Sequence, residues 1–131
     1  MQHLKPSLRQ DYDRAMSFDF RASQALGLWH DVMLDLVRDG APDLSARQTV
    51  ILLTLYLEPP PHTVRGLAKK LGVTKPAITR ALDTMGKRQL LSRRRDEKDR
   101  RNVIIQRTVE GALYVETLGD YVMARAKNLP S

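Results

Sequence analysis

The stretch LSRRRDEKDRRNVIIQR, residues 91–107, holds seven Lys or Arg side chains, and every position from Asp96 to Arg101 is charged. Guanidinium groups keep their charge and present a planar fork of donors that matches phosphate oxygens. A segment so crowded with like charges repels itself, and a polyanion is the partner that offsets the repulsion. A second set of candidates lies upstream, where Thr74, Lys75, Pro76, Ala77, Thr79 and Arg80 fall within seven residues. Lys and Arg can donate to guanine edges and Thr79 can reach a base or a phosphate. The Pro76 ring or the Ala77 methyl can touch a thymine methyl.

The elements that position these groups follow from local chemistry. Residues 1–17 are mixed and contain Pro6, an arm of uncertain order. From Phe18 the residues Ala22, Ala25, Leu26, Trp29, Met33, Leu36 and Val37 recur at three and four, one apolar helical face. Gly40 and Pro42 stop that helix. Ser45 with Gln48 forms a capping box for a second helix carrying Val50, Ile51, Leu53 and Leu57, which Pro59, Pro60 and Pro61 end. Thr63 caps a short third helix with Leu67, Ala68 and Leu71 on one side, and Gly72 closes it in the left-handed conformation.

Thr74 caps again, with Pro76 in the first turn, and the fourth helix runs from there to about Gln89. It buries Ile78, Leu82 and Met85 and turns Lys75, Ala77, Thr79, Arg80 and Asp83 outward. Two short helices about a Gly-containing turn are the helix-turn-helix pattern, whose second helix enters a major groove. Leu91 to Arg95 and Val103 to Ile105 read as the strands of a two-stranded hairpin. Thr108 caps a last helix bearing Leu113, Val115, Leu118, Val122 and Ala126, which ends near Leu129 and Pro130.

Charge is segregated along the chain. Thr63 to Arg107 contains 14 of the 22 Lys and Arg and four of the 15 acids, a balance of +10, and the remainder carries −3. That segregation is the footprint of a nucleic-acid surface, because a solubilising surface mixes its signs. With no cysteine, disulfides, thiolate zinc sites and thiol redox chemistry are excluded. His3, His30 and His62 are scattered and build no transition-metal site. No apolar run approaches the roughly 20 residues of a membrane span, and the first sixteen residues lack the apolar middle of a signal peptide. A cytoplasmic protein is the expectation. No G-x-S-x-G, phosphate loop or His-Glu zinc motif occurs, so neither an enzyme nor a bound cofactor is expected.

The run TVRGLAKKLGVTKPAITRALDTMGKRQLLSRRRDEKDRRNVIIQRTVEG, residues 63–111, resembles the MarR family of bacterial transcription regulators. It shares the Leu-Ala helix, the Thr-capped recognition helix and a wing reading D-x-x-D-x-R at Asp96, Asp99 and Arg101. The resemblance implies a mostly α winged helix-turn-helix with one two-stranded hairpin wing. Residues 18–131 would form a single domain, with a DNA-binding lobe at 63–107 and dimerisation helices at 18–40 and 108–129.

It also implies a homodimer that binds double-stranded DNA and acts as a repressor, with helix 74–89 in the major groove and wing 93–101 at the minor groove. In that pattern Asp99 orients Arg101 at the wing tip, and Arg93, Arg94, Arg95 and Arg100 neutralise phosphates. Many relatives take a small aromatic effector between the dimerisation helices and the DNA-binding lobe. In this sequence, spacing assigns Trp29 to the core stripe of Leu26 and Met33. The alternative from a different class is a protein-interaction module without sequence-specific DNA binding.

Departures from the family pattern are local. Gln89 stands where relatives carry the glycine that ends the recognition helix, so a side chain must accept the left-handed stop. Arg107 replaces an apolar residue before Thr108, and Gly86 lies inside the recognition helix. The sequence ends after one C-terminal helix, whereas relatives often carry a second that builds the dimer.

Overall fold

Capping chemistry sets most of the helix boundaries. The computed structural model describes residues 5–16 and 20–130. His3 and Phe18 lie outside them. Residues expected to be an arm include a helix, α1 (Pro6–Met16). Pro6 opens it at a position where the missing amide hydrogen costs nothing. Its sequence, PSLRQDYDRAM, is mostly polar and short, which leaves little to read in advance.

Next comes α2 (Phe20–Arg38), closed by Gly40 at φ 67°. In α3 (Ala46–Leu57) the Ser45 hydroxyl accepts from the Gln48 amide at 3.1 Å, and the Ser45 amide donates to Gln48 Oε1 at 2.9 Å. The short α4 (Val64–Leu71) starts at Thr63, whose hydroxyl accepts from the Gly66 amide, and ends at Gly72 with φ 67° and ψ 35°. Thr74 caps α5 (Lys75–Lys87) through the Ala77 amide at 3.3 Å, and Thr108 caps α6 (Val109–Ala126) through the Gly111 amide at 3.0 Å.

The sheet has three strands, where the sequence predicts two. The hairpin of β2 (Ser92–Arg95) and β3 (Val103–Gln106) is antiparallel, with Arg93 opposite Ile105 and Arg95 opposite Val103. On the far edge of β3, β1 (His62–Thr63) pairs His62 with Ile105 and Thr63 with Ile104, giving the order β1-β3-β2. Two residues between three prolines and a helix show no period-two signal. They pair because the inner edge of β3 would otherwise bury unpartnered backbone groups.

One core lies under the basic lobe. Ile51, Leu52 and Leu55 of α3 meet Leu67 of α4, Ile78, Leu82 and Met85 of α5, Leu90, Leu91 and Ile105, all buried. A second, smaller cluster joins α2 to α6 through Val32, Leu36 and Leu118, with Leu28, Tyr114 and Tyr121 around them. Beside it Arg125 donates twice to the Asp35 carboxylate, at 2.9 and 2.7 Å. The guanidinium holds the Asp35 carboxyl below its usual range.

Here the structure corrects the sequence reading of α2. Its inward edge is Leu28, Val32 and Leu36, whereas Leu26, Trp29, Met33 and Val37 are exposed, Trp29 to 55%. The apolar arc of α2 is wider than one helix contact, and α6 takes only the Val32 edge. In α3, likewise, Leu52 and Leu55 turn inward while Val50 and Leu57 face out. On α6, Leu118 is buried while Leu113, Val122 and Met123 are exposed.

Candidate nucleic-acid interface

The recognition-type helix is oriented by its own apolar face. Ile78, Ala81, Leu82 and Met85 are buried at helical spacing, which turns Lys75, Pro76, Thr79, Arg80 and Asp83 to solvent and leaves Ala77 half-buried. Gln48 Nε2 donates to the Ala81 carbonyl at 3.3 Å and braces α5 against α3. Among the described residues Lys75 and Arg80 have no ion-pair partner, so both cations project free from the exposed face. Thr74 already spends its hydroxyl as an acceptor in the cap.

The hairpin loop is built by backbone bonds and by the Asp96 and Asp99 carboxylates, which together tie a charged turn into one shape. Asp96 Oδ1 accepts from the Lys98 amide at 3.0 Å, the Asp96 amide donates to the Asn102 carbonyl at 3.0 Å, and the Asn102 amide donates to the Asp99 carbonyl at 2.9 Å. Asp99 Oδ1 accepts from the Arg101 amide at 3.2 Å and from Arg101 Nε at 3.4 Å. The Arg101 side chain stays 89% exposed, anchored at its root and open at its fork.

The wing arginines fall into distinct groups. Directly opposed residues of an antiparallel pair share a face. Arg93 and Arg95, opposite Ile105 and Val103, therefore lie on the core-facing side of the sheet, and Arg94, opposite Ile104, lies on the other. Arg93 Nη1 bonds Asp83 Oδ1 of α5 at 2.8 Å, and Arg95 Nη1 donates to the Arg100 carbonyl at 2.8 Å, bracing the loop. Arg94 and Arg100 are the exposed arginines of the wing without a side-chain partner among the described residues. Thus the structure gathers Lys75, Thr79 and Arg80 on one helix face and Arg100 and Arg101 at a ligated loop. Arg93 and Arg95 are exposed, and each engages Nη1 in a bond within the protein.

Two supports were not read from the sequence. Arg107 Nε donates to the Leu55 carbonyl at 2.6 Å with its guanidinium 5.0 Å above the Tyr56 ring, and Tyr56 Oη donates to the Thr108 carbonyl at 3.0 Å. A cation at the end of α3 satisfies a carbonyl that the helix leaves open. Its only sequence trace is the departure at Arg107. Gly111 is buried because α6 passes so close to Leu90 that an added Cβ would lie 2.2 Å from the Leu90 oxygen. As expected for a side-chain stop, Gln89 ends α5 with φ 61°.

Away from this lobe, Trp29, Met33, Val37, Leu53, Tyr114 and Leu118 help line a mainly apolar cavity of about 590 Å³ between α2, the start of α3 and α6. Trp29 is a wall of that cavity and not a core residue. Burial, and secondarily the nearby Asp43 charge, push the Tyr114 hydroxyl above its usual pKa.

Residues 44–103 match the model of the MarR family. Among solved structures the chain is similar to the transcriptional regulator Tm0710 from Thermotoga maritima, at 21% identity over 90% of this chain and 77% of that one, with TM-score 0.67. It is similar to a MepR mutant of S. aureus bound to an oligodeoxyribonucleotide, at 20% identity over 88% and 87% of the two chains, TM-score 0.68. A third is the transcriptional repressor CouR bound to a 23-mer DNA duplex, at 23% identity over 88% and 80%, TM-score 0.65. At these identities the likeness shows a shared fold. No curated protein matches the chain.

Proposed function

We propose that this chain, which carries a MarR-family domain at residues 44–103, is a non-enzymatic, sequence-specific duplex DNA-binding regulator that acts as a homodimeric repressor in the cytoplasm. The observation that carries the proposal is the lobe of residues 63–107. There a capped helix presents Lys75, Thr79 and Arg80 to solvent, and an ordered basic loop presents Arg100 and Arg101 beside it. The helix would enter a major groove with Lys75, Pro76, Ala77, Thr79 and Arg80 toward base edges or phosphates, and Thr74 positioned at its start. The loop would place Arg101 in the adjacent minor groove, where a narrow, strongly negative channel favours a guanidinium over an ammonium. That two solved structures of the same fold hold DNA supports the reading.

The exposed apolar residues of α2 and α6, Leu26, Trp29, Met33, Leu113 and Val122, support a second copy packed on the helices at 18–40 and 108–129. Two recognition helices roughly 34 Å apart would then read an inverted repeat. Selection of binding sites from random duplexes with purified protein tests this: the proposal expects enriched sites with two-fold symmetry. A chain that enriches no sequence would instead be the protein-interaction module. A second reading concerns regulation. The 590 Å³ cavity beside Trp29 and Tyr114 suits a small, largely apolar aromatic effector, whose binding would quench Trp29 fluorescence.

A further inference from the structure

We infer that Asp83 is a positioning residue: through Arg93 it straps the wing to the recognition helix and fixes the distance between the two elements that meet DNA. The inference rests on the DNA-binding reading and adds a residue to it.

Asp83 is the only acid between Thr74 and Gln89, and it lies half-exposed on the outward face of α5 with Lys75, Thr79 and Arg80. A carboxylate on a surface that approaches phosphates is repelled by them, so its presence calls for a compensating role. Its partner is Arg93 of β2, with Nη1 2.8 Å from Oδ1, a charge-assisted bond between an exposed carboxylate and a partly covered guanidinium. Arg93 sits opposite Ile105 on the core-facing side of the sheet, at the root of the wing.

Gly86 lies three residues beyond Asp83 on the same helix. A Cβ built there would lie 3.8 Å from Arg93 Nη2, in contact with the guanidinium. A longer side chain at this place would contest the seat. Alanine would fit at ordinary contact distance, so the strap limits this position to small side chains without requiring glycine. The wing tip, by contrast, leaves the Arg101 side chain 89% exposed, held only by Asp99 at its Nε. Holding the root while leaving the tip open is how a hairpin keeps a fixed angle to a neighbouring helix.

The test uses the absence of native cysteine. Spin labels at Thr84→Cys and Glu97→Cys report the helix-to-wing distance without DNA. Asp83→Asn should broaden that distribution, and the reciprocal pair Asp83→Arg with Arg93→Asp should narrow it again. A distribution as narrow in Asp83→Asn as in the parent overturns the inference. On DNA, Asp83→Asn should lose about tenfold or more on the preferred duplex, less on random sequence, and lose protection of the flanking minor groove from hydroxyl radicals. Tighter binding to both duplexes, which removal of a negative charge alone would give, also overturns it. So does a changed preference at one base pair with the footprint intact, because Asp83 would then be reading a cytosine amino group. A parent that binds no duplex removes the DNA reading, and the label distances still decide the strap.

Discussion

Replacing Gly111 by alanine sets two physical effects against each other. Alanine is the better helix former by about 1 kcal/mol, so propensity alone predicts a more stable protein. The geometry predicts the reverse. The new Cβ would stand 2.2 Å from the Leu90 carbonyl oxygen and 2.9 Å from Tyr56 Oη, and the first of these is backbone that cannot swing aside. Shifting α6 to make room costs about 1 to 3 kcal/mol as overpacking. It also strains the Tyr56 hydroxyl bond to the Thr108 carbonyl, which contributes about 0.5 to 1.5 kcal/mol.

The net expectation is a loss of about 1 to 3 kcal/mol. For a chain of this size that corresponds to a fall in Tm of roughly 4 to 11 °C. Calorimetric melts of Gly111→Ala and Gly119→Ala make the comparison internal to one helix, since nothing lies within 4 Å of a Cβ at Gly119. Gly119→Ala should gain a few degrees. A Gly111→Ala protein that melts at or above the parent temperature would refute the close approach of α6 to the basic lobe.

Three further outcomes follow from single side chains. Arg101→Ala should weaken DNA binding without lowering Tm, and Asp99→Ala should weaken it too, although net positive charge rises; unchanged or tighter binding by Asp99→Ala would reduce the wing to a basic patch. The Asp35 carboxyl has its folded pKa depressed by Arg125, so its contribution is present above the ordinary carboxylate pKa of about 3.9 and is lost as pH falls through the lower folded value. Asp35→Asn should therefore lower stability at neutral pH and show a shallower loss below about pH 4 in acid-titrated melts. Gln89→Gly should raise Tm by a few degrees, because at φ 61° glycine escapes a penalty of roughly 1 kcal/mol, and a lower Tm would mean that the Gln89 side chain is needed there.

Much of this architecture is legible in the residues because caps and stops are local chemistry. Ser45, Thr63, Thr74 and Thr108 each accept from an amide three residues on, and Gly72 and Gln89 take positive φ. The face of α5 was equally readable, since Ile78, Leu82 and Met85 leave Thr79 and Arg80 no direction but outward.

What local pattern could not supply was any choice made by a distant partner. Whether Trp29 or Val32 faces inward depends on where α6 lies, and β1 exists only because β3 has an edge to satisfy. The same holds inside the candidate site. Three adjacent arginines, 93–95, look alike in sequence, and only the register of β2 on β3 separates Arg93, which meets Asp83, from Arg94 on the opposite face.

The central claim is that the exposed cations of α5 and the wing meet the phosphates and bases of duplex DNA. Fluorescence anisotropy of a selected duplex, titrated with protein at salt concentrations from about 50 to 200 mM, tests it most directly. Lys75, Arg80, Arg94, Arg100 and Arg101, counted twice in a dimer, predict a log–log slope of affinity against salt of roughly −5 to −9, and a steeper loss on the selected sequence when Arg80 is alanine. Affinity that is independent of salt, or no binding to any duplex at the lowest salt, would contradict it.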